Sequence, residues 1–147
     1  MNFTELTSTE FTKFEQKHPT GNFFQSVARA DLRQKMGFHT YLVGVKEKSQ
    51  VLAAAMIVER SGEAWIQIGP ILDYSNFKLL NFFLAEIKKY AASKHFIKLE
   101  IFPPVVIRTR RQDGSAIEEY DCAEIFETFK QHGFTHEGFT TEIENKA

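Results

Sequence analysis

The chain has 147 residues, a formal net charge of −1, 43% hydrophobic and 25% charged residues; this fits one domain with a proper core and excludes both a disordered chain and one drawn as a whole to nucleic acid or anionic membrane. A single cysteine, Cys122, excludes an intrachain disulfide and a thiolate metal cluster and points to a reducing compartment. The start, Met1 to Leu6, has neither the charged nor the apolar region of a signal peptide, and no window approaches the ~18 apolar residues of a membrane span, so the expectation is a cytoplasmic protein.

Phe3 to Leu6 alternates as a short strand. Thr7 and Glu10 form a capping box before Phe11 and Phe14, predicting a first helix that Pro19 and Gly21 end near His18. Phe23, Phe24, Val27, Ala30 and Leu32 recur at roughly helical spacing and predict a second helix over about 26–36, with Ser26 as cap and Gly37 as stop. Three apolar segments follow, 41–45, 51–58 and 64–68; the short polar turns between them predict an antiparallel meander. Asn76 caps a third helix over 77–92, with Leu79, Leu80, Phe83, Ile87 and Tyr90 on one stripe. A strand over 97–101 stops at Pro103-Pro104, which removes two ladder donors. Asp113-Gly114 predicts a tight hairpin turn between 105–111 and 117–119, a helix over about 122–132 closes at Gly133, and 134–143 reads as a final strand. The expected class is α/β of the α+β kind: a mixed, mostly antiparallel sheet flanked by helices, in the order β-α-α-β-β-β-α-β-(hairpin)-α-β.

Few residues announce chemistry by themselves. Arg29, Arg33 and Lys35 on the second helix read as a solvated face or as a phosphate contact, since a guanidinium fork can donate two charge-assisted bonds to phosphate oxygens. Asp73 and Tyr74 follow Gly69-Pro70 at the entry to the third helix, where a ligand could approach backbone donors; equally, Asp73 could assist the cap. The run Arg108-Thr109-Arg110-Arg111 fits an exposed sheet edge made soluble by charge better than a nucleic-acid contact. His132 and His136 stand four apart, but Gly133 between them breaks the helix that would align two imidazoles, so no metal site is expected.

The element order resembles the Gcn5-related N-acetyltransferase (GNAT) fold. Three blocks in order are more specific: His18-Pro19-Thr20-Gly21-Asn22-Phe23-Phe24-Gln25-Ser26 with the helix carrying Arg33 and Lys35 up to Gly37-Phe38; Gly69-Pro70-Ile71-Leu72-Asp73-Tyr74; and Gly133-Phe134-Thr135-His136-Glu137-Gly138-Phe139-Thr140-Thr141. Together they resemble the Fem family, aminoacyltransferases that build peptidoglycan cross-bridges from aminoacyl-tRNA. The resemblance implies that residues 1–147 form the first of two GNAT-like subdomains and hold a UDP- or lipid-linked muramyl peptide. Aminoacyl-tRNA is then the donor, met mainly through the second half, with no cofactor. It also implies that Arg33, with Lys35 next, contacts the precursor's diphosphate; Asp73 and Tyr74 complete the candidate substrate-binding set. Family members commonly carry an aspartate before proline after the long helix, a candidate proton acceptor. Phe102 stands there in this chain, so no catalytic base is assigned.

Two other functions fit the element order. A self-contained acetyl-CoA N-acetyltransferase needs a glycine-rich pyrophosphate loop, Gln/Arg-x-x-Gly-x-Gly/Ala, but the junction over 67–76 places Pro70 and bulky residues where glycine is required. A non-catalytic interaction module is the third reading.

Overall fold

A computed structural model of the chain describes residues 1–138, which divide into two compact units, one over Met1–Pro103 and one that begins at Pro104. In the first unit the elements are β1 (Asn2–Glu5), α1 (Ser8–Glu15), a single 3₁₀ turn (Phe23–Gln25), α2 (Val27–Lys35), β2 (His39–Glu47), β3 (Gln50–Arg60), β4 (Glu63–Ile66), α3 (Phe77–Ser93) and β5 (Lys98–Ile101). The sheet runs β1-β2-β3-β4-β5, antiparallel throughout except for the β4–β5 pair, which is parallel because α3 carries the chain back across the sheet. The expected meander and the mixed, mostly antiparallel sheet with flanking helices are both present.

Local signals explain the helix ends. Thr7 and Glu10 close the capping box on α1, the Ser26 hydroxyl accepts from the Arg29 N–H, and the Asn76 side chain accepts from the Leu79 N–H at the start of α3. Gly37, at φ +87°, ends α2 in the left-handed region that glycine enters without steric cost. The central strand β3 is apolar on consecutive residues because both its faces are covered. Ala54, Met56 and Val58 pack with Leu6, Phe11, Ala30, Phe38, Trp65 and Ile71 on the side of α1 and α2. On the other face Phe3 meets Phe83 and Tyr90 of α3, and Tyr41 meets Tyr90. No helix among the described residues is long and apolar enough to cross a membrane.

Several boundaries differ from the sequence reading. The fourth strand ends at Ile66, and Ile68 lies outside it at φ +48°. Leu32, placed by spacing on the apolar face of α2, is 43% exposed; the buried residues of that helix are Ala30 and Arg33. The apolar spacing is out of phase with α2 because the 3₁₀ turn at Phe23–Gln25 shifts the register between the two phenylalanines and the helix proper.

In the second unit β6 (Arg108–Arg110) and β7 (Ala116–Glu119) form a separate hairpin, followed by α4 (Ala123–Gln131). Gly114 takes φ +85° in the turn, and the Asp113 carboxylate accepts from the Ser115 N–H and hydroxyl. Arg108 pairs with Glu119 across the strands, and Arg110 donates to the Gly114 carbonyl, so both are engaged within the hairpin. Cys122 is buried, its thiol donating to the Val106 carbonyl. Residues 134–138 are not a strand; the rest of the expected final strand, 139–143, lies outside the described residues.

Candidate functional site

The first two sequence blocks meet in space. From the 3₁₀ turn the fully buried Gln25 side chain reaches between strands: its amide nitrogen donates to the Met56 carbonyl (3.2 Å) and the Gln67 carbonyl (2.9 Å), while its oxygen accepts from the Met56 N–H (2.7 Å). The three bonds substitute for a missing strand. Along its β4-facing edge β3 pairs with β4 at Val58–Arg60, then with the Gln25 amide at Met56, then with Ile71 at Ala54 through two backbone bonds of 3.0 and 2.8 Å. Asn22 ties the same loop to the Ile68 carbonyl at 2.9 Å. Gly69 is required for the approach, since a Cβ there would lie 2.7 Å from the Gln25 amide carbon. This brace sets where α2 begins, and therefore where Arg33 sits.

Arg33 is only 3% exposed. Its guanidinium carbon lies 5.2 Å from the centre of the Phe38 ring, whose other neighbours are Arg60 at 5.1 Å and, edge-on at 5.6 Å, Trp65. A guanidinium over a ring keeps its in-plane N–H groups free for other acceptors. Among the described residues Arg33 makes no ion pair or hydrogen bond, and its buried Nε has no acceptor. The buried indole N–H of Trp65, beside Phe38, is likewise without one. Burial first, and the neighbouring Arg29 charge second, hold Arg33 below the usual arginine range. An unpaired buried cation costs several kcal/mol in apolar surroundings, and an anion among these donors would remove that cost. The side chain is therefore buried, stacked and without an acid partner among the described residues, unlike a solvated helix face.

The other candidates lie elsewhere. Lys35 is exposed in the last turn of α2. Asp73 is exposed and its carboxylate accepts from the Ser75 N–H and hydroxyl, bonds that together with His18 lower its pKa despite slight burial. The Tyr74 hydroxyl donates to the Pro70 carbonyl at 2.9 Å, and burial pushes its ionisation well above the tyrosine range. No hydrogen bond or ion pair joins either residue to Arg33 or Lys35. Four backbone donors at this junction are engaged, Gly69 N–H with Phe102, Ile71 with Ala54, and Ser75 and Asn76 with Asp73. Phe102 closes β5 by donating to Ile66 and offers no titratable group. Sequence reasoning missed Gln25 as the brace and Phe38 as the ring beneath Arg33; the Gln25/Gly69 pairing has no local signal, because the two positions are far apart in the chain.

Residues 6–147 match the model of the FemAB family. Aminoacyltransferase FemB of Staphylococcus epidermidis is 30% identical over 153 residues, covering 100% of this chain and 36% of that protein. Aminoacyltransferase FemA of Staphylococcus aureus is 30% identical over 145 residues, covering 95% of this chain and 34% of FemA. The chain thus spans about a third of the length of the curated relatives it matches. A crystal structure of FemX shares the fold, with a TM-score of 0.73 at 23% identity over 95% of this chain and 33% of that one.

Proposed function

The chain belongs to the FemAB family, and from that premise we propose that it is the precursor-holding, N-terminal GNAT-like part of an aminoacyltransferase that extends the peptidoglycan interpeptide bridge. In this reading the acceptor's amino nitrogen attacks the carbonyl carbon of an aminoacyl ester on tRNA. The amide bond forms, the ester C–O bond to the tRNA ribose breaks, and the proton lost by the amine ends on the leaving ribose oxygen as a hydroxyl. With phenylalanine at position 102, this part positions the acceptor, and the proton acceptor belongs to another part of the enzyme. Because aminoacyl-tRNA is a cytoplasmic donor, the reaction is placed in the cytoplasm.

The observation that carries the proposal is Arg33: a buried guanidinium, held over Phe38, with no carboxylate partner among the described residues. Its partner is the diphosphate of the muramyl-peptide precursor. Lys35, at the exposed end of the same helix, adds long-range attraction, while Asp73 and Tyr74 bond within their own turn and carry no contact in this reading. The acetyl-CoA alternative is disfavoured by the engagement of the N–H groups of Gly69, Ile71, Ser75 and Asn76 within the fold, since a pyrophosphate loop works through free ones.

Calorimetric titration with a UDP-linked muramyl pentapeptide tests this directly. Losing a charge-assisted contact of about 1.5–3 kcal/mol should weaken binding by about 10- to 100-fold in Arg33→Ala; wild-type affinity in a folded Arg33→Ala protein refutes the assignment.

A further inference from the structure

Arg33 is not the only guanidinium here without an acid. Arg29 lies one turn earlier on α2, and residues four apart share a helix face, where like charges are mutually unfavourable by about 0.2–0.5 kcal/mol. The acid between them, Asp31, is exposed, and a residue two positions from each does not face either. Several cations elsewhere have acid partners, Lys46 with Glu10, Lys94 with Glu5, Lys98 with Glu100 and Arg108 with Glu119. On α2 two arginines stand together unpaired.

Arg29 is nevertheless held in place. Its guanidinium carbon sits 5.9 Å from the Phe23 ring centre and 5.6 Å from that of Phe24, and the two rings are themselves edge-to-face. Its Nε is buried with no acceptor among the described residues, as is that of Arg33. Aromatic shelves thus fix both guanidiniums, Phe23 and Phe24 under one and Phe38 under the other, without consuming their in-plane N–H groups.

Building on the reading that Arg33 meets an anion, we propose that Arg29 is a second, specificity-determining contact of the same site, and that the two guanidiniums select two linked phosphates over a single one. One fork faces each phosphoryl group, and the like-charge repulsion between the arginines is relieved only by a ligand with charge enough for both. A lone phosphate can satisfy one fork fully and leaves the other charge uncompensated.

The test is calorimetric titration of the whole 147-residue chain with inorganic pyrophosphate and with inorganic phosphate, for wild type, Arg29→Gln, Arg29→Lys and Arg33→Gln. Wild type should bind pyrophosphate about tenfold or more tightly than phosphate. Arg29→Gln should lose about tenfold for pyrophosphate and with it most of the preference, while Arg33→Gln loses affinity for both anions. If Arg29→Gln does not fold, Arg29→Lys, which keeps the charge and stem without the planar fork, should bind pyrophosphate several-fold more weakly than wild type. Wild-type affinity and preference in either folded Arg29 variant, with Arg33→Gln still defective, overturns the role of Arg29 alone. Wild-type affinity in Arg33→Gln, or no pyrophosphate binding by wild type, overturns the anion site itself.

Discussion

Replacing Gln25 by alanine should destabilise the first unit by about 3–5 kcal/mol. The substitution removes all three side-chain bonds at 2.7, 2.9 and 3.2 Å. It leaves the buried N–H and C=O of Met56 without the partner that takes the place of a neighbouring strand. Each buried orphan costs about 1–3 kcal/mol, and the vacated volume adds to that. Trp65 is the single tryptophan and lies in the core of this unit, so its fluorescence reports the unit's unfolding. With a urea dependence of about 1.5 kcal/mol/M, the midpoint should fall by roughly 2–3 M. Gln25→Glu is the sharper companion. Protonated, it can accept from the Met56 N–H and donate to one carbonyl; ionised, it turns an acceptor toward two carbonyl oxygens. Its folded pKa is therefore raised above the unfolded value of roughly 4.3. The variant should be most stable below that pH and lose stability as pH rises through the raised folded value. A loss under about 1 kcal/mol for Gln25→Ala, or a Gln25→Glu protein whose stability relative to wild type is flat from pH 4 to 8, refutes the brace.

Gly69→Ala puts a methyl 2.7 Å from the Gln25 amide carbon and 3.0 Å from an Ile66 methyl; it should cost about 1–3 kcal/mol. Most of that cost should vanish in a Gln25→Ala background, a coupling that a double-mutant cycle of urea midpoints reads directly. Glu10, bonded to Lys46 and to Thr7, has its carboxyl lowered to about 2, so its contribution is present above the ordinary glutamate range and lost as pH falls through about 2. A carboxyl-carbon NMR titration should find that depressed midpoint and see it rise toward the ordinary glutamate range in Lys46→Ala with Thr7→Ala, the backbone N–H of residue 7 keeping part of the depression. Arg33→Met removes a buried charge without an acid partner and keeps an apolar stem over Phe38, so thermal unfolding should show stability equal to or above wild type. A fall of several degrees would mean that Arg33 is held by a partner it needs for folding.

Where the deciding interaction is local, the chain could be read directly. The Thr7/Glu10 box, the Ser26 and Asn76 caps, Gly37 and Gly114 in the left-handed region and the stripe of α3 all act within a few residues of themselves. The two short turns and the long helix then leave little choice but a meander followed by a return across the sheet. The phase of α2 went wrong because a 3₁₀ turn has a different period from the α-helix that follows it. The solvated-face alternative for Arg33 fails for a related reason: charge predicts exposure only when no ring lies in wait beneath the side chain, and Phe38 arrives from the far side of Gly37.

By itself, then, the sequence determined most of the elements up to α4, their order, and the residue types available to an anion. Helix caps, turns and strand alternation are set by neighbours in the chain. Only the tertiary structure decided that Gln25 stands in for a strand beside Met56, that Gly69 must lack a side chain to allow it, and that Arg29 and Arg33 are fixed on aromatic shelves without acid partners. Those outcomes depend on which distant backbone groups lose their partners when β3 and β4 part after Val58, and no local pattern records that separation.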